Sequence, residues 1–304
     1  MKTHGDPGWE SFPSYLDTFI PMVLDILDDL NLHITFFIVG QDAALKKNHD
    51  ALKLITQRGH EVGNHSYNHE PWLHLYPKDQ IRKEIIETGE LIQRVTGQKP
   101  LGFRGPGFSW STDLLEVLIQ NNYLYDASTL PTYMGPLART YYFWKSDLTK
   151  EEKKKRKKLF GGFKEGLQPI NAYYFYIEPD ERIIEIPVTT MPIFKTPFHL
   201  SYLLYLSRFS LVLMVFYLKL ALQMCMMTGT RPSFLLHPLD LIGGDIVREL
   251  AFFPGMDLSS NKKLKIFKQV INILKNNFSL TSMINHATSI LHQNKIKNIN
   301  IADK

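Results

Sequence analysis

Hydrophobic positions recur at helical spacing and then in continuous runs, several times in succession along the chain. The first example is a segment from Pro13 to Leu32, apolar at every third or fourth position, followed by the continuous β-rich run His33–Val39 and then Gly40. An apolar run without alternation is typical of a strand that is buried on both faces of a parallel sheet. The pattern therefore predicts a helix followed by a buried parallel strand.

The same alternation continues through the first 125 residues. Helical periodicity and short apolar runs predict helices at 42–58, 77–95 and 112–120 and strands at 61–62, 101–103 and 123–125. Ser111 and Thr112 are available to cap the last of these helices. Strands that alternate with helices favour a parallel α/β fold, either open or barrel-shaped.

The pattern changes after residue 130. Residues 131–171 are rich in Gly, Pro, Lys and aromatics and predict an insertion over the mouth of the sheet. The basic run 153–158 within it is more often a solvated helix face than a contact with an anion or a membrane. Residues 172–177 and 182–188 then predict two paired strands around a turn.

The C-terminal part completes the predicted domain. Lys262–Asn276 has helical periodicity, residues 279–283 are compatible with a last strand, and residues 293–304 form a polar tail. We therefore predict one catalytic domain over residues 1–292, followed by a frayed tail.

Leu200 to Met227 is the most apolar stretch of the sequence. A membrane-spanning helix needs about 20 apolar residues, but Arg208 and Lys219 leave only ten residues between them. The stretch favours a buried or interfacial helix, with peripheral membrane contact through residues 200–228 as the alternative.

Composition narrows the classes of function only slightly. The net charge is +5 with a pI near 9.0, but much of the excess lies at 150–158, which predicts no nucleic-acid partner. Cys225 is the single cysteine and excludes an internal disulfide framework. The first residues lack the apolar core of a signal peptide, which favours a cytoplasmic or membrane-peripheral location.

Two histidines follow the predicted strand at 61–62. His65 and His69 are four residues apart, and if the chain coils into a helical turn after Asn64, both side chains lie on one face and can bind a single ion. Such a pair also arises by chance. The preceding Gly63 and Asn64 favour the metal interpretation, because they tolerate a left-handed backbone that redirects the end of a strand.

Three motifs resemble the polysaccharide deacetylase family, also known as the NodB homology or carbohydrate esterase family. They are the run Gly59–His69, Arg104–Pro106, and Phe234–His237, an apolar run that ends in a histidine. They occur in the family's order over roughly residues 15–285. The resemblance implies a distorted (β/α) barrel of seven strands and metal-dependent removal of N-acetyl groups from amino-sugar polysaccharides.

The resemblance also implies roles for individual residues. His65 and His69 would be ligands of a divalent ion, zinc by preference, and His237 the general acid. Arg104 would hold the carboxylate of the catalytic base. Gly107 stands where the family commonly has an aromatic whose N–H polarises the carbonyl.

Asp126 follows the predicted strand at 123–125 and lies near the position of the family's fourth motif. It is a candidate for orienting or charge-pairing a catalytic histidine. The alternative is that it is a turn residue.

The family's first motif, an apolar strand that ends in one or two Asp, has no counterpart ahead of Pro13. Asp6 is the candidate substitute for the third metal ligand. Either the sequence begins downstream of this motif, or the protein has lost it together with much of its activity.

We therefore expect a metal-dependent deacetylase that acts on an N-acetylated glycan. Two alternatives remain: hydrolysis of a small non-sugar amide, and a catalytically impaired glycan-binding protein that lacks the first motif. The sequence makes no prediction of the oligomeric state.

Overall fold

The computed structural model describes residues 15–134, 163–178, 181–292 and 296–300. Asp6, the basic run 153–158 and most of the predicted insertion lie outside the described residues.

The first half of the chain alternates between helices and parallel strands. The elements are α1 (Leu16–Asp29), β1 (Thr35–Ile38), α2 (Gly40–Ala44), α3 (His49–Gln57), β2 (Glu61–Asn64), α4 (Lys78–Thr96), β3 (Gly102–Phe103), α5 (Thr112–Gln120) and β4 (Tyr125–Asp126). Ser111 caps α5 as predicted, accepting a hydrogen bond from the Leu114 amide at 3.2 Å. The predictions for this half are confirmed to within a few residues, except at 42–58.

The predicted helix at 42–58 is interrupted by a 3-10 turn at Lys46–Asn48. Asn48 is buried, and its side-chain amide donates to the carbonyl of Asp42 at 2.9 Å. Asparagine side chains that bind nearby backbone groups compete with helical hydrogen bonds. The segment therefore forms α2 and α3 instead of one helix.

The second half contributes the remaining strands and four longer helices. The elements are β5 (Tyr173–Glu178), β6 (Glu181–Glu185), α6 (Leu200–Ser207), α7 (Leu211–Met227), α8 (Ser260–Lys275), α9 (Met283–Leu291) and β7 (Asn298–Asn300). The strand predicted at 279–283 is wrong, since these residues lead into α9. Residues 298–300 fall in the predicted tail but pair with β5.

The strands form one sheet in the order β1-β2-β3-β4-β6-β5-β7. The neighbours from β1 to β6 in this order are parallel, β5 is antiparallel to β6, and β7 is parallel to β5. The predicted α/β class and the seven strands are thus confirmed for the part of the chain that is described. Closure into a barrel stays a prediction.

The described residues form three hydrophobic clusters, of which the two largest hold the helices on the sheet. The larger core joins α1, α3, α7 and α8 through side chains such as Leu24, Ile55, Leu218 and Phe267. The second core packs α4 and α5 against β3 and β5, with Phe103 and Phe175 fully buried. Because β1 to β4 are parallel, the loops after them all emerge at the same edge of the sheet.

The most apolar stretch forms two helices instead of one. A corner at Arg208–Ser210 separates α6 from α7, and Ser210 caps α7 by accepting from the Leu213 amide at 3.2 Å. Across the described ranges, no helix has both the length and the apolar character to cross a membrane.

Phe234–Leu236, predicted as a strand, is extended but belongs to no strand of the described sheet. Its neighbourhood is held by single hydrogen bonds instead: the Thr189 amide donates to the Ser233 carbonyl at 3.1 Å, and the Leu200 amide to the Leu235 carbonyl at 3.3 Å. These bonds carry His237 to the edge of the sheet where β1 to β4 end.

Candidate active site at the carboxyl edge of the sheet

The turn after β2 brings the two predicted metal ligands together. The buried Asn64 side chain donates to the Ile85 carbonyl at 2.9 Å and accepts from the Ser66 amide at 2.9 Å. Ser66 and His69 both have left-handed backbones, with φ of 59° and 56°. The helical turn that was predicted here is therefore wrong. Ser66 and His69 redirect the chain, and not Gly63 and Asn64 as expected.

The imidazole rings of His65 and His69 are close, with centroids 4.8 Å apart and planes inclined by 65°. Nδ1 of His65 lies 2.6 Å from the carbonyl oxygen of Arg104. A carbonyl can only accept, so Nδ1 carries the proton and Nε2 keeps its lone pair. Metal-binding histidines commonly have their second nitrogen fixed by such an outer partner.

Burial of the His65 ring lowers its pKa well below the ordinary value, and the adjacent His69 lowers it further. At neutral pH His65 is therefore an uncharged imidazole. This is the form that binds a metal ion.

Arg104 follows β3 and lies directly beside this pair. Its Nε donates to the Ala127 carbonyl at 3.1 Å, and its guanidinium carbon lies 4.5 Å from the centroid of the Phe37 ring. Burial lowers the Arg104 pKa to about 10, against the opposing effect of Tyr125 and two carboxyl groups. The side chain is therefore charged at neutral pH, although no ion pair joins it to another described residue.

The two carboxyl groups near Arg104 belong to Asp126 and Glu185, both fully buried. Asp126 Oδ1 accepts from the Ala127 amide and the Ser128 hydroxyl, and Glu185 Oε1 accepts from both donors of Thr129. Within the described residues the second oxygen of each carboxyl has no other donor, and the two groups hydrogen-bond to each other.

Two carboxyl groups can share a hydrogen bond only if one of them is protonated. Burial raises the pKa of Asp126 to about 6, and burial with the Asp126 charge raises that of Glu185 well above its ordinary value. The proton therefore resides on Glu185 at neutral pH. Asp126 is the last residue of β4, not a turn residue, and among the described residues its carboxyl group accepts from Ala127 and Ser128 and not from a histidine.

His237 is held differently from His65. Its side chain is half exposed, and Nδ1 lies 3.1 Å from the Ser201 hydroxyl and 3.5 Å from Asp240 Oδ2. The Ser201 hydroxyl donates to the same Asp240 oxygen at 2.9 Å, as does the His237 amide at 2.9 Å. Because the carboxylate can only accept, the hydroxyl receives its own hydrogen bond from His237 Nδ1.

Asp240 is well buried, and its hydrogen bonds decide its charge. Burial alone would raise its pKa, but the hydrogen bonds from His237 and Ser201 hold the pKa below its ordinary value. Asp240 is thus ionised at neutral pH, and as a carboxylate it can only accept hydrogen bonds.

One cavity of about 2400 Å³ connects these groups. It is lined by His65, His69 and Arg104 from the loops after β2 and β3, and by His237 and Asp240 from the opposite side. Four of the predicted site residues therefore meet at one cavity. Asp126 does not line it, and Asp6 lies outside the described residues.

The donor set fits a divalent metal in part. His65 and His69 offer two imidazoles, one of them in a fixed tautomer, as zinc sites require. Among the described residues, no cluster of three or more His, Cys, Asp or Glu side chains could hold an ion. A third protein ligand beside His65 and His69 is thus not found in the described ranges, and Asp6 stays a prediction.

Three functional candidates were missed in the sequence. Asp240 had a weak signal, because an acidic residue three positions after His237 suits a capped turn. Glu185 also had a weak sequence signal, because it is a carboxylate within an apolar strand. Ser201 had none, since it is 36 residues from His237 along the chain.

Comparison with known proteins agrees with the motifs. The model of the polysaccharide deacetylase family matches residues 6–125. These residues contain β1 to β3 and the first residue of β4, with His65, His69 and Arg104. Residues 6–125 therefore match the polysaccharide deacetylase family, which confirms the predicted resemblance.

Individual relatives also match only part of the chain. A peptidoglycan-N-acetylglucosamine deacetylase of Bacillus cereus is 34% identical over 109 residues, which are 34% of this chain and 38% of that protein. A peptidoglycan deacetylase of Helicobacter pylori is 30% identical over 158 residues, 51% of this chain and 53% of that protein. The chain therefore spans about half, or less, of the length of these curated relatives.

A crystal structure from Mycobacterium smegmatis, described as that of a polysaccharide deacetylase, has a similar fold. It superposes with a TM-score of 0.58 at 19% identity and covers 92% of this chain and 79% of that one. At this identity the match supports the fold alone.

Proposed function

We propose that this protein is a metal-dependent hydrolase that removes N-acetyl groups from amino-sugar glycans, with zinc or a similar divalent ion. The family match and the names of the relatives support the deacetylase class. The observation that carries the proposal is the pair His65 and His69, with the His65 tautomer fixed by the Arg104 carbonyl, at the same cavity as His237. We propose that the catalytic domain spans residues 1–292.

In this proposal His65 and His69 hold the ion, and Asp6 is the candidate third ligand. A bound zinc ion lowers the pKa of its water to about 7 and polarises the amide carbonyl. The neutral state of His65 keeps its Nε2 lone pair available without competition from a proton.

His237 acts as the general acid. Hydrolysis of an amide expels a nitrogen that must gain a proton, and a half-exposed imidazole at the cavity wall can supply it. Ser201 and Asp240 hold Nδ1 and therefore direct Nε2 away from themselves, towards the cavity.

Arg104 supplies a fixed positive charge at the cavity wall. The stacking on Phe37 and the bond to Ala127 restrict its orientation. The resemblance assigns it the carboxylate of the catalytic base as a partner, and that carboxylate would come from the first motif. Asp126 and Glu185 act on Arg104 electrostatically from behind and serve to position it.

The cavity suits an extended substrate. Its volume of about 2400 Å³ exceeds the roughly 300–1,000 Å³ of pockets for single small molecules. Phe108 lines it and offers a ring face to a sugar, whereas Trp110 stacks on Phe175 in the core with centroids 5.0 Å apart. These features favour a glycan over a small amide.

The test is acetate release from N-acetylglucosamine oligomers by the purified chain, with zinc and with a chelator. We expect release that depends on zinc and on oligomer length. Release from a small N-acetylated amino acid but not from the oligomers would favour the small-amide alternative. Zinc binding and glycan binding without acetate release would identify an impaired enzyme.

A further inference from the structure

Helix α7 is apolar on two opposite sides. Met214, Leu218 and Leu222 face the core and are almost fully buried. The other side is exposed to solvent and is also apolar, with Val212 80% and Phe216 63% exposed. We call this side, together with the preceding corner, the outer face of α7; its main apolar residues are Phe209, Leu211, Val212, Phe216, Leu220 and Met227.

A solvent-facing helix normally carries polar residues on its outer side, and a helix that is apolar all round is normally buried. Contiguous exposed apolar patches of this kind mark interaction sites. The 17 residues of α7 extend for about 26 Å, which is shorter than the roughly 30 Å hydrocarbon core of a bilayer. The outer face therefore suits contact with a surface, not a span.

Along the sequence, the part of the chain that contains α7 has an excess of positive charge. Residues 186–239 contain no Asp or Glu, and residues 186–304 carry 13 Lys and Arg against five Asp and Glu. Residues 1–185 carry 22 basic and 25 acidic residues. The part of the chain that contains α7 is thus strongly basic, while the rest is slightly acidic.

Basic side chains also lie at and beside the outer face. Lys219 is exposed on it. Arg208, at the corner before α7, pairs with Asp257, three residues before α8 begins, and α7 and α8 meet again at a small groove near their C-terminal ends. The two helices therefore run side by side, and the first turns of α8 carry the exposed Lys262 and Lys265.

We propose that the outer face of α7 docks on an anionic phospholipid surface. Its apolar side chains would enter the interface between head groups and acyl chains, while Lys219 and the lysines of α8 would contact the phosphates. A second copy of the chain is a poorer occupant, because a two-fold contact through this face would bring two such basic regions together.

Docking in this way would also orient the cavity. Tyr205 and Arg208, at the corner before α7, line the cavity and are themselves exposed. The cavity rim therefore borders the outer face, and a protein bound through it would present this rim near the lipid head groups.

Cosedimentation of the full chain with vesicles tests the proposal. We expect binding to vesicles of phosphatidylcholine with 30% phosphatidylglycerol, much weaker binding to phosphatidylcholine alone, and loss of binding at high salt. The double variant Val212→Ser/Phe216→Ser should bind at least about tenfold more weakly. Leu75→Ser is the matched control, because Leu75 is 50% exposed and lies on another part of the molecule, before α4.

A charge variant measures the electrostatic contribution to vesicle binding separately from the apolar contribution. Lys219→Glu should weaken binding at least about fivefold at low salt. Lys83→Glu makes the same change in net charge on the exposed side of α4 and should have little effect. Circular dichroism checks that the variants, all at exposed positions, keep their helices.

Two results would overturn the proposal. One is the absence of binding of the full chain to anionic vesicles at low salt. The other is a concentration-dependent dimer in sedimentation that Val212→Ser/Phe216→Ser converts to monomers while vesicle binding is unchanged, since the outer face would then be covered by a second copy.

Discussion

The two turns that carry His65 and His237 border the same cavity but place the imidazole rings in different environments. His65 is partly buried, and a main-chain carbonyl at 2.6 Å binds its Nδ1. His237 is half exposed, and its Nδ1 faces a hydroxyl and an ionised carboxylate. The first environment keeps the ring uncharged, whereas the second holds the ring through side chains at the cavity wall.

The hydrogen-bond partner of Nδ1 determines the chemistry available to Nε2 of each ring. A carbonyl fixes the tautomer without offering a negative charge, so His65 suits metal binding. The Ser201 hydroxyl, itself bonded to a carboxylate, fixes Nδ1 of His237, so Nε2 is oriented for proton donation. Four variants test this contrast.

The largest expected effect is the loss of metal in His65→Ala. Removing only the hydrogen-bond partner of a metal ligand lowers metal affinity by up to about a hundredfold. Removing the ligand itself should therefore lower zinc affinity by at least about that much. Elemental analysis after dialysis should find about one zinc per wild-type chain and almost none in the variant. His292→Ala, at an exposed histidine, is the control and should keep its zinc. Full zinc content in His65→Ala would refute the ligand assignment.

His237→Ala should lower turnover by roughly a hundredfold, as expected for the loss of a general acid. Its zinc content should stay at the wild-type level, because the proposed ligands are untouched. Acetate release and elemental analysis on the same preparation separate the two roles. If zinc is lost along with activity, His237 is a ligand and the contrast with His65 disappears.

The contrast extends to carboxyl groups, since Asp240 receives three hydrogen bonds whereas Asp126 and Glu185 share one proton. The pKa of Asp126 is raised from 3.8 to about 6 in the folded state. The folded state therefore holds a proton that the unfolded chain releases near pH 4, and stability falls as pH rises from about 4 to above 6. A shift of about two pKa units corresponds to a loss of about 3 kcal/mol in the free energy of unfolding over this pH range.

Glu185→Gln should flatten the pH dependence in part, because it removes the titration of Glu185, whose pKa is raised well above its ordinary value, while burial still raises the pKa of Asp126. Urea unfolding between pH 4.5 and 7.5 measures the change. Glu178→Gln, at the exposed end of β5, should follow the wild type. Parallel curves for wild type and Glu185→Gln would mean that the pair does not share a proton.

The smallest expected effect is that of Asp240→Asn, about tenfold on turnover, since the imidazole remains but is oriented less well. The loss should appear in kcat, with KM and zinc content at the wild-type values, because the proposed ligands and the substrate contacts are unchanged. Asp79→Asn, at an exposed aspartate of α4, is the control. A tenfold loss accompanied by a lower zinc content or a higher KM would indicate that Asp240 only supports the turn.

The sequence by itself determined most elements of the N-terminal half and the identity of four site residues. Its apolar runs were long enough to locate β1 and α4, and Ser111 marked the start of α5, because local periodicity and capping act over a few residues. His65, His69, Arg104 and His237 were found because each lies in a contiguous motif.

The tertiary structure decided what those residues contact. Ser201 and Asp240 share His237 although Ser201 lies 36 residues away, and Glu185 meets Asp126 across 59 residues of sequence. Likewise, residues 298–300 join the sheet because β5 offers them an unpaired edge, not because of their own pattern. Hydrogen bonds and burial between distant segments depend on packing, which periodicity does not encode, and these contacts set the charge of each group at the cavity.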